Sequence, residues 1–170
     1  MKYSIGPMGD EHRQQVIAIY NYFIERTFAA YPRTSVDDSM FDRFLALTHD
    51  YPALVVKNQD SRVVGFAFLQ AYHPADSFQK TAVATYFILP EHTRKGIGSL
   101  ILKRLIKGAR KRDISVILAN ISSLNPESIE FHRKNGFIEC GRFEGIGIKA
   151  GRTFGVVWMQ LNIGDVPETI

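Results

Sequence analysis

The stretch that decides the fold is Arg94-Lys95-Gly96-Ile97-Gly98-Ser99, which lies between a predicted strand, Thr81 to Leu89, and a predicted helix that begins at Ile97. The strand is rich in β-branched and aromatic residues. The two glycines let backbone N–H groups approach an anion closely, and a helix N-terminus adds partial positive charge. Together with Arg94 and Lys95, the stretch predicts a phosphate-binding loop. A tight turn with a solvated lysine would use the same residues.

The kind of phosphate ligand is narrowed by what the loop lacks. A dinucleotide-binding fingerprint needs a third glycine and an acidic residue at the end of the next strand, and neither is present. A Walker loop needs four residues between its glycines, followed by Gly-Lys-Ser/Thr. The loop therefore favours a pyrophosphate carrier other than a dinucleotide or a nucleoside triphosphate.

The helix after the loop leads to another strand, Val116 to Ala119. A strand, helix, strand order of this kind places the two strands in parallel in one sheet. Apolar residues at helical spacing predict the inner face of this helix: Ile97, Leu100, Ile101, Leu105 and Ala109.

The remaining elements predict a mainly antiparallel sheet with one βαβ crossover, in the α+β class. Before the loop they are a strand at Tyr3 to Ile5, a helix from a cap at Asp10 to about Arg26, a helix capped by Thr34 or Ser35, and a hairpin of Ala53 to Lys57 with Val63 to Gln70. After it they are a helix from Pro126 to Lys134 with Asn125 as its cap, and two strands, Phe137 to Phe143 and Phe154 to Leu161, around the glycine-rich turn Gly145 to Gly151.

Length and composition favour one globular domain spanning residues 1–170, with 45% hydrophobic and 22% charged residues. No apolar run approaches the roughly 18 residues that cross a bilayer, and the N-terminus shows no export signal, so we expect a cytoplasmic protein without a membrane partner. The lone Cys140 excludes an internal disulfide and a cysteine zinc cluster and suits a reducing compartment. On its predicted strand, we expect Cys140 to pack in the core rather than act as a nucleophile.

The formal charge of +4 belongs to one segment, because eight basic residues and no acidic residue lie between Arg94 and Arg112. This charge raises the alternative of a nucleic-acid binder. The helical bases, however, lie opposite the apolar face and have no aromatic residues among them, which indicates a solvated surface. We therefore expect no nucleic-acid partner.

On these motifs the sequence resembles the GNAT superfamily of acetyl-CoA-dependent N-acetyltransferases. The family signature Gln/Arg-x-x-Gly-x-Gly/Ala matches Thr93 to Gly98, and a second family element matches Asn125 to Phe137, followed by Gly141. Within the superfamily the chain is most similar to the phosphinothricin acetyltransferase branch, over nearly its full length from Ile19 to Gln160. The order and spacing of the motifs carry this resemblance.

The resemblance implies a GNAT fold with helices on both faces of the sheet, and a homodimer. It implies acetyl-CoA as co-substrate and transfer of its acetyl group to the primary amine of a small molecule, an amino acid or analogue. Direct attack would form a tetrahedral oxyanion held by backbone N–H groups, where side chains hardly matter. The implied cofactor-binding residues are Tyr86, Phe87, Ile88, Thr93, Arg94, Lys95, Gly96, Ile97, Gly98, Ser99, Asn125 and Lys134.

One side chain has an implied catalytic role: His132 matches the branch histidine close to the sulfur and would serve as general acid. A packing role within its short helix is the alternative. On the acceptor side the resemblance implies a pocket near Phe28, Tyr31 and Val83. The other histidines show no metal-ligand spacing, so we predict no metal site.

Four positions depart from the branch pattern. Thr93 replaces the usual Gln or Arg, Val83 falls where the branch has a glutamate proposed as base, Gly155 replaces an aspartate, and Thr153 replaces an aromatic residue. The loss at Val83 leaves open a second alternative, a non-catalytic acyl-CoA-binding domain.

Overall fold

The fold was analysed in a computed structural model that describes residues 3–164. The strands are β1 (Tyr3–Pro7), β2 (Ala53–Asn58), β3 (Val63–Ala71), β4 (Thr81–Ile88), β5 (Val116–Ser122), β6 (Ile138–Lys149) and β7 (Arg152–Asn162). The α-helices are α1 (Arg13–Arg26), α2 (Ser39–Leu47), α3 (Ile97–Arg110) and α4 (Pro126–Lys134), and short 3₁₀ turns span Asp10–His12, Asp76–Phe78 and Pro90–His92. None of the helices within residues 3–164 is long and apolar enough to cross a membrane.

The strands form one sheet in the order β1-β2-β3-β4-β5-β7-β6. Only β4 and β5 run parallel among the described pairs, and α3 connects them. Alternating residues of β3 face opposite cores: Phe66 and Phe68 pack with α1 and α2, whereas Ala67 and Leu69 pack with α3 and α4. The predicted mixed sheet, its βαβ crossover and the helices on both faces are therefore confirmed.

The parallel pair separates part-way along its length. Its register runs only from Thr81↔Val116 to Val83↔Leu118, after which β5 continues beside β7 as far as Ser122. From Ala84 onward, β4 is paired only with β3. The sheet therefore opens between the second halves of β4 and β5.

The predicted start of α2 is wrong, because the helix begins at Ser39 rather than after Thr34 or Ser35. The side chain of Asn21 on α1 accepts a hydrogen bond from the Val36 N–H at 2.8 Å and donates one to the Val36 carbonyl at 2.9 Å. The second bond uses the Val36 carbonyl, which a helix capped by Ser35 would need for its own first turn. The chain therefore stays irregular through residue 38.

Two details of the predicted helices also change. Asp10 opens the 3₁₀ turn that precedes α1 rather than capping α1 itself. Leu100 is 43% exposed, and Leu102 takes the expected place in the core at 3%. Leu102 precedes Leu105 by three residues and Ala109 by seven, so it shares their face of α3.

The last two strands are longer than predicted. The chain reverses at Ala150 and Gly151, both with positive φ, and the glycines before them lie inside β6. The register shifts between Phe143 and Gly147, so extra β6 residues bulge opposite Gly155. A Cβ atom on Gly155 would lie 2.2 Å from the Phe143 carbonyl oxygen, so the branch aspartate does not fit at this position.

Cys140 does not pack in the core as predicted, because its side chain is exposed. It lies on β6, which pairs only with β7 and forms the edge of the sheet. Every residue from Ile138 to Ile146 is exposed on this strand. Sequence alternation cannot reveal that a strand lacks a covering layer.

Candidate active site

A cavity of about 370 Å³ fills the opening between β4 and β5. Its strand walls are residues 84–87 of β4 and 119–122 of β5. Helix α4 and its cap line one end, through Asn125, Ser128 and His132. Residues on the opposite face of the sheet line the other end: Tyr20, Ala29, Ala30, Tyr31, Pro32, Met40, Arg43, Phe44 and Leu47. The cavity thus connects the two faces of the sheet.

The phosphate loop leads into α3 on the face shared by α3 and α4. Gly96 precedes the helix with φ +78°, a conformation that favours glycine, and its carbonyl accepts the first helical bond, from the Leu100 N–H. The N–H groups of Ile97, Gly98 and Ser99 in the first turn have no partner within the helix. This arrangement of free donors at a helix N-terminus fits a pyrophosphate.

Gly98 has a second role, in helix packing. A Cβ atom at this position would lie 2.9 Å from Cε2 of Phe131 on α4. The absence of a side chain therefore lets α3 and α4 approach each other beside the cavity. A valine at Gly98 would disturb this packing as well as the loop.

The charged side chains predicted to hold the cofactor lie at the surface. Arg94 pairs with Glu127 at 2.6 Å, Lys95 donates to the Glu91 carbonyl, and Lys134 pairs with Glu130 at 3.5 Å. Thr93 turns its hydroxyl back to the Pro90 carbonyl at 2.8 Å. The backbone N–H groups of the loop are therefore the free donors of this site, and contacts from these side chains to a phosphate remain predictions.

Two side chains of the cavity lining, His132 and Tyr86, form a hydrogen-bonded pair. His132 on α4 is 2% exposed and hydrogen-bonds through Nε2 to the Tyr86 hydroxyl on β4, with the two rings stacked. Its Nδ1 lies 2.6 Å from the Ser128 carbonyl oxygen. The edge of its ring packs against Phe137 at 4.8 Å between ring centroids. Both ring nitrogens of His132 are therefore engaged.

Burial dominates the ionisation of this pair. Desolvation lowers the pKa of His132 to about 4, opposed in part by its bond to the Ser128 carbonyl. Desolvation also raises the pKa of the Tyr86 hydroxyl well above its usual value. At neutral pH the structure therefore holds a neutral imidazole and a neutral phenol, so His132 does not enter the reaction as an imidazolium.

Comparison with known proteins agrees with this architecture. The model of the acetyltransferase (GNAT) family matches residues 16–137. The chain belongs to the GNAT acetyltransferase family. It is 32% identical to an L-methionine sulfoximine/L-methionine sulfone acetyltransferase of Pseudomonas aeruginosa, over 96% of each chain. It is also 32% identical to the L-amino acid N-acyltransferase MnaT of Escherichia coli, over 90% of each.

A solved structure supports the same assignment. A GNAT superfamily phosphinothricin acetyltransferase from Sinorhizobium meliloti, in complex with acetyl-CoA, superposes with a TM-score of 0.92 at 25% identity, covering 100% of this chain and 93% of that one. The protein is thus an acetyl-CoA-dependent N-acetyltransferase, and acetyl-CoA is its co-substrate. The alternatives of a non-catalytic domain and of a nucleic-acid binder are set aside.

The acceptor side of this GNAT enzyme differs from the sequence prediction. Tyr31 lines the cavity, stacks on Phe154 at 5.8 Å, and has its pKa raised to about 12 by burial. Phe28 instead packs edge-on against Phe154 and lies under the Arg152 guanidinium, outside the cavity lining. Phe28 therefore lies outside the lining of this cavity because its ring packs on Phe154, and its role on the acceptor side stays a prediction.

Val83 is also absent from the cavity lining. It is 5% exposed and shares the strand face of Thr85 and Phe87, but it lies where β4 is still paired with β5. Its cross-strand neighbour is Gln70, whose Oε1 is buried without a hydrogen-bond partner among the described residues. The position predicted to face the acceptor thus lies just below the opening.

Two side chains of the cavity lining were not found from the sequence. Tyr86 was chosen only for its backbone, although alternation along β4 places it on the face that meets α4. Arg43 gave no signal, because its place in the lining depends on how α2 packs over the cavity. Both depend on contacts between elements distant in sequence.

Lys149 holds in place the segment of residues 27–31, which we call the acceptor wall because it carries Tyr31, a residue predicted to face the acceptor. It is 6% exposed at the end of β6, and its Nζ donates to the Thr27 carbonyl at 2.8 Å and the Ala30 carbonyl at 2.7 Å. Burial lowers the pKa of this ammonium group. The segment that carries Tyr31 is thus fastened to the β6–β7 hairpin by one buried cation.

Replacing this cation tests the arrangement. We expect Lys149→Met to destabilise the protein by about 1–3 kcal/mol, because two buried carbonyls lose their donor. We also expect the KM for the acceptor to rise while acetyl-CoA affinity stays unchanged, since the phosphate loop lies on the other face. Urea unfolding, steady-state kinetics and calorimetry measure these effects.

The matched control is Lys107→Met on the exposed face of α3. It should match wild type in all three measurements. A Lys149→Met protein with an unchanged acceptor KM would show that the wall does not depend on this contact.

Proposed function

We propose that this enzyme acetylates the primary amine of a small carboxylate-bearing molecule, an amino acid or an analogue of one. The observation that carries the proposal is the cavity through the sheet, which is lined by α4 and its cap at one end and by an arginine at the other. Two relatives support the acceptor class, since their names give L-methionine sulfoximine, L-methionine sulfone and L-amino acids as substrates. Turnover of acetyl-CoA with a panel of amino acids and their decarboxylated amines tests the proposal.

The roles of the chain's residues follow from the two ends of the cavity. The free N–H groups of Ile97, Gly98 and Ser99 hold the pyrophosphate of acetyl-CoA, and the pantetheine arm lies in the opening between β4 and β5. The Tyr86 and Ile88 N–H groups hold the thioester end and stabilise the oxyanion that forms on attack. The Phe87 N–H points the other way, into the ladder with β3, where Phe87 faces Phe66. Acetyl-CoA supplies the activated acetyl group.

The charge of the acceptor end supports a carboxylate-bearing amine. Arg43 is the one ionised side chain among the cavity-lining residues of the described chain, and within residues 3–164 it has no ion-pair partner. Apolar neighbours such as Met40, Phe44 and Leu47 surround it on α2. An unpaired guanidinium matches a carboxylate in a bidentate arrangement, and the apolar surface accommodates an uncharged side chain.

The same lining indicates that the amine is neutral when it reacts. No carboxylate lines the cavity within the described residues, so an ammonium ion finds no counter-charge there. A neutral amine has the lone pair that attack requires. The enzyme therefore uses the fraction of acceptor that is already deprotonated.

This conclusion gives a pH dependence. We expect log kcat/KM to rise with a slope of about 1 up to the acceptor's own pKa, because the neutral amine fraction rises with pH. His132, with a pKa of about 4, stays neutral above pH 5, and Tyr86 stays protonated, so neither adds an inflection between pH 5 and 9. Rate profiles for two acceptors of different pKa measure this.

The two profiles should be displaced by the difference between the acceptor pKa values. A shared inflection near pH 6 to 7, independent of the acceptor, would reveal a dedicated enzyme base and contradict this reading.

A second prediction concerns Arg43. We expect Arg43→Met to raise the KM for an amino acid about 10- to 100-fold, because a hydrogen bond to a charged group contributes about 1.5–3 kcal/mol. The methyl ester of the same amino acid should lose nothing, since it has no carboxylate. Steady-state kinetics with both acceptors measure the difference.

The control variant is Arg104→Met, which removes an exposed arginine of α3 outside the cavity lining. It should leave both KM values unchanged. Equal losses for the acid and the ester would assign Arg43 a packing role instead.

We also propose a cytoplasmic homodimer that forms through β6. This edge strand exposes Ile138, Phe143, Ile146 and Ile148, each more than half accessible to solvent, and an exposed apolar edge is a template for pairing with a second chain. A reducing compartment keeps the exposed Cys140 thiol free. Light scattering of wild type and a Phe143→Lys variant tests the dimer.

A further inference from the structure

The contact between Tyr86 and His132 has a direction that the geometry determines. A carbonyl oxygen can only accept a hydrogen bond, so the 2.6 Å contact between the Ser128 carbonyl and His132 requires the proton to be on Nδ1. Because the imidazole is neutral, Nε2 then carries no proton. The Tyr86 hydroxyl must therefore be the donor in its bond to Nε2.

This direction leaves a basic nitrogen behind a hydroxyl group. The Nε2 lone pair of His132 is occupied by the Tyr86 hydroxyl, so a proton from the cavity reaches it only through the Tyr86 oxygen. Tyr86 belongs to the half of β4 that is separated from β5, and this half forms a wall of the cavity. The pair is thus arranged as an outer hydroxyl and an inner proton acceptor.

We propose that Tyr86 and His132 form a proton relay that takes a proton from the attacking nitrogen and returns it to the sulfur of coenzyme A. This inference rests on the proposed acetyl transfer. It makes Tyr86 the catalytic residue, since Tyr86 meets the reacting atoms, and His132 a positioning residue and proton store that acts through it. The sequence resemblance gave the acid role to His132 alone.

The relay balances over one turnover. The neutral amine adds to the acetyl carbonyl, which forms the C–N bond and leaves the nitrogen positively charged with one proton in excess. Tyr86 Oη takes that proton while passing its own to His132 Nε2. When the C–S bond breaks, its electron pair stays on sulfur, Tyr86 gives a proton to the sulfur, and His132 returns its proton to Tyr86. The products are the acetamide and the free thiol.

The remaining lining groups cannot replace this pair. The Arg43 guanidinium has no lone pair that accepts a proton, and the hydroxyls of Tyr20, Tyr31 and Thr85 are bonded to no imidazole or carboxylate within the described residues. Ser122 accepts a hydrogen bond from the Leu124 N–H at 3.2 Å. Ser128 Oγ lies 3.4 Å from His132 Nδ1, but the proton on that nitrogen is already directed to the Ser128 carbonyl at 2.6 Å. A weakly basic imidazole is adequate as a transient store, because the ammonium of an addition intermediate is far more acidic than a free alkylammonium ion. The final acceptor, a thiolate, is more basic than the imidazole, so the return step is downhill.

The first test compares Tyr86→Phe with His132→Gln. Glutamine can accept the Tyr86 hydrogen bond but cannot take up a proton, so it separates a relay from a merely structural contact. We expect each variant to lose about 10² to 10⁴ in kcat, with acetyl-CoA affinity unchanged by calorimetry, and the double variant to lose no more than the slower single one. Tyr72→Phe, which changes an exposed tyrosine just after β3, is the matched control and should retain the wild-type rate.

The solvent isotope effect on kcat gives a readout that a packing defect would not move. Wild type should show a proton inventory with more than one proton in flight, and both variants should lose this curvature. A His132→Gln enzyme with the wild-type rate and inventory would overturn the relay. Full activity in Tyr86→Phe would do the same.

A measurement without turnover separates this inference from the proposed function. The ¹⁵N chemical shifts of the His132 ring should show a protonated Nδ1 and a bare Nε2 in wild type across pH 5 to 9. The opposite tautomer would overturn the relay even in an active enzyme. Wild type that shows the expected tautomer but releases no coenzyme A with any amine would instead overturn the proposed function, and the relay with it.

Discussion

The early end of pairing between β4 and β5 is the constraint on which the rest of the structure depends. Beyond Val83↔Leu118 the parallel ladder stops, and backbone groups on the facing edges of the two strands have no sheet partner there. Such groups are costly to leave unsatisfied in a protein interior. A ligand that lies between the strands would satisfy them. In the proposed function, the opening in the sheet is the catalytic surface, α3 and α4 hold acetyl-CoA on one face, and α1 and α2 cover the acceptor on the other.

Electrostatics give this opening its selectivity. The described lining offers a neutral imidazole, a phenol with a raised pKa and one guanidinium, so the interior disfavours an ammonium ion and favours an anion at the acceptor end. The ammonium group of Lys149, which is buried nearby, is stabilised by hydrogen bonds to two carbonyls rather than by a carboxylate. It therefore fastens residues 27–30 without placing a negative charge beside the cavity. The described residues thus keep acids away both from this buried cation and from the cavity that we propose for the acceptor.

Local sequence chemistry predicted those parts of the fold that depend on neighbouring residues. The Asn125 cap is present, with its Oδ1 accepting from the Ser128 N–H at 3.2 Å, and α4 spans Pro126–Lys134 as predicted. Long-range contacts decided what the sequence could not predict. Asn21 delays α2 by holding Val36, Phe154 packs against Phe28 outside the cavity lining, and the uncovered edge leaves Cys140 exposed. The side chains of Tyr86 and Arg43 join the cavity lining only when α4 and α2 pack against the opening.

The departures from the phosphinothricin-type pattern are physically consistent with one another. At Gly155 the bulged β6 carbonyl occupies the space of a Cβ, so a carboxylate there would require a different hairpin. At Val83 a carboxylate would be buried, with the uncharged Gln70 as its cross-strand neighbour, and a buried carboxylate without a partner is strongly disfavoured. Neither position therefore supplies an acid to the cavity. In the proposed relay, proton transfer falls to the neutral pair of Tyr86 and His132 on the opposite face of β4, whose hydrogen-bond direction is determined by the Ser128 carbonyl of α4.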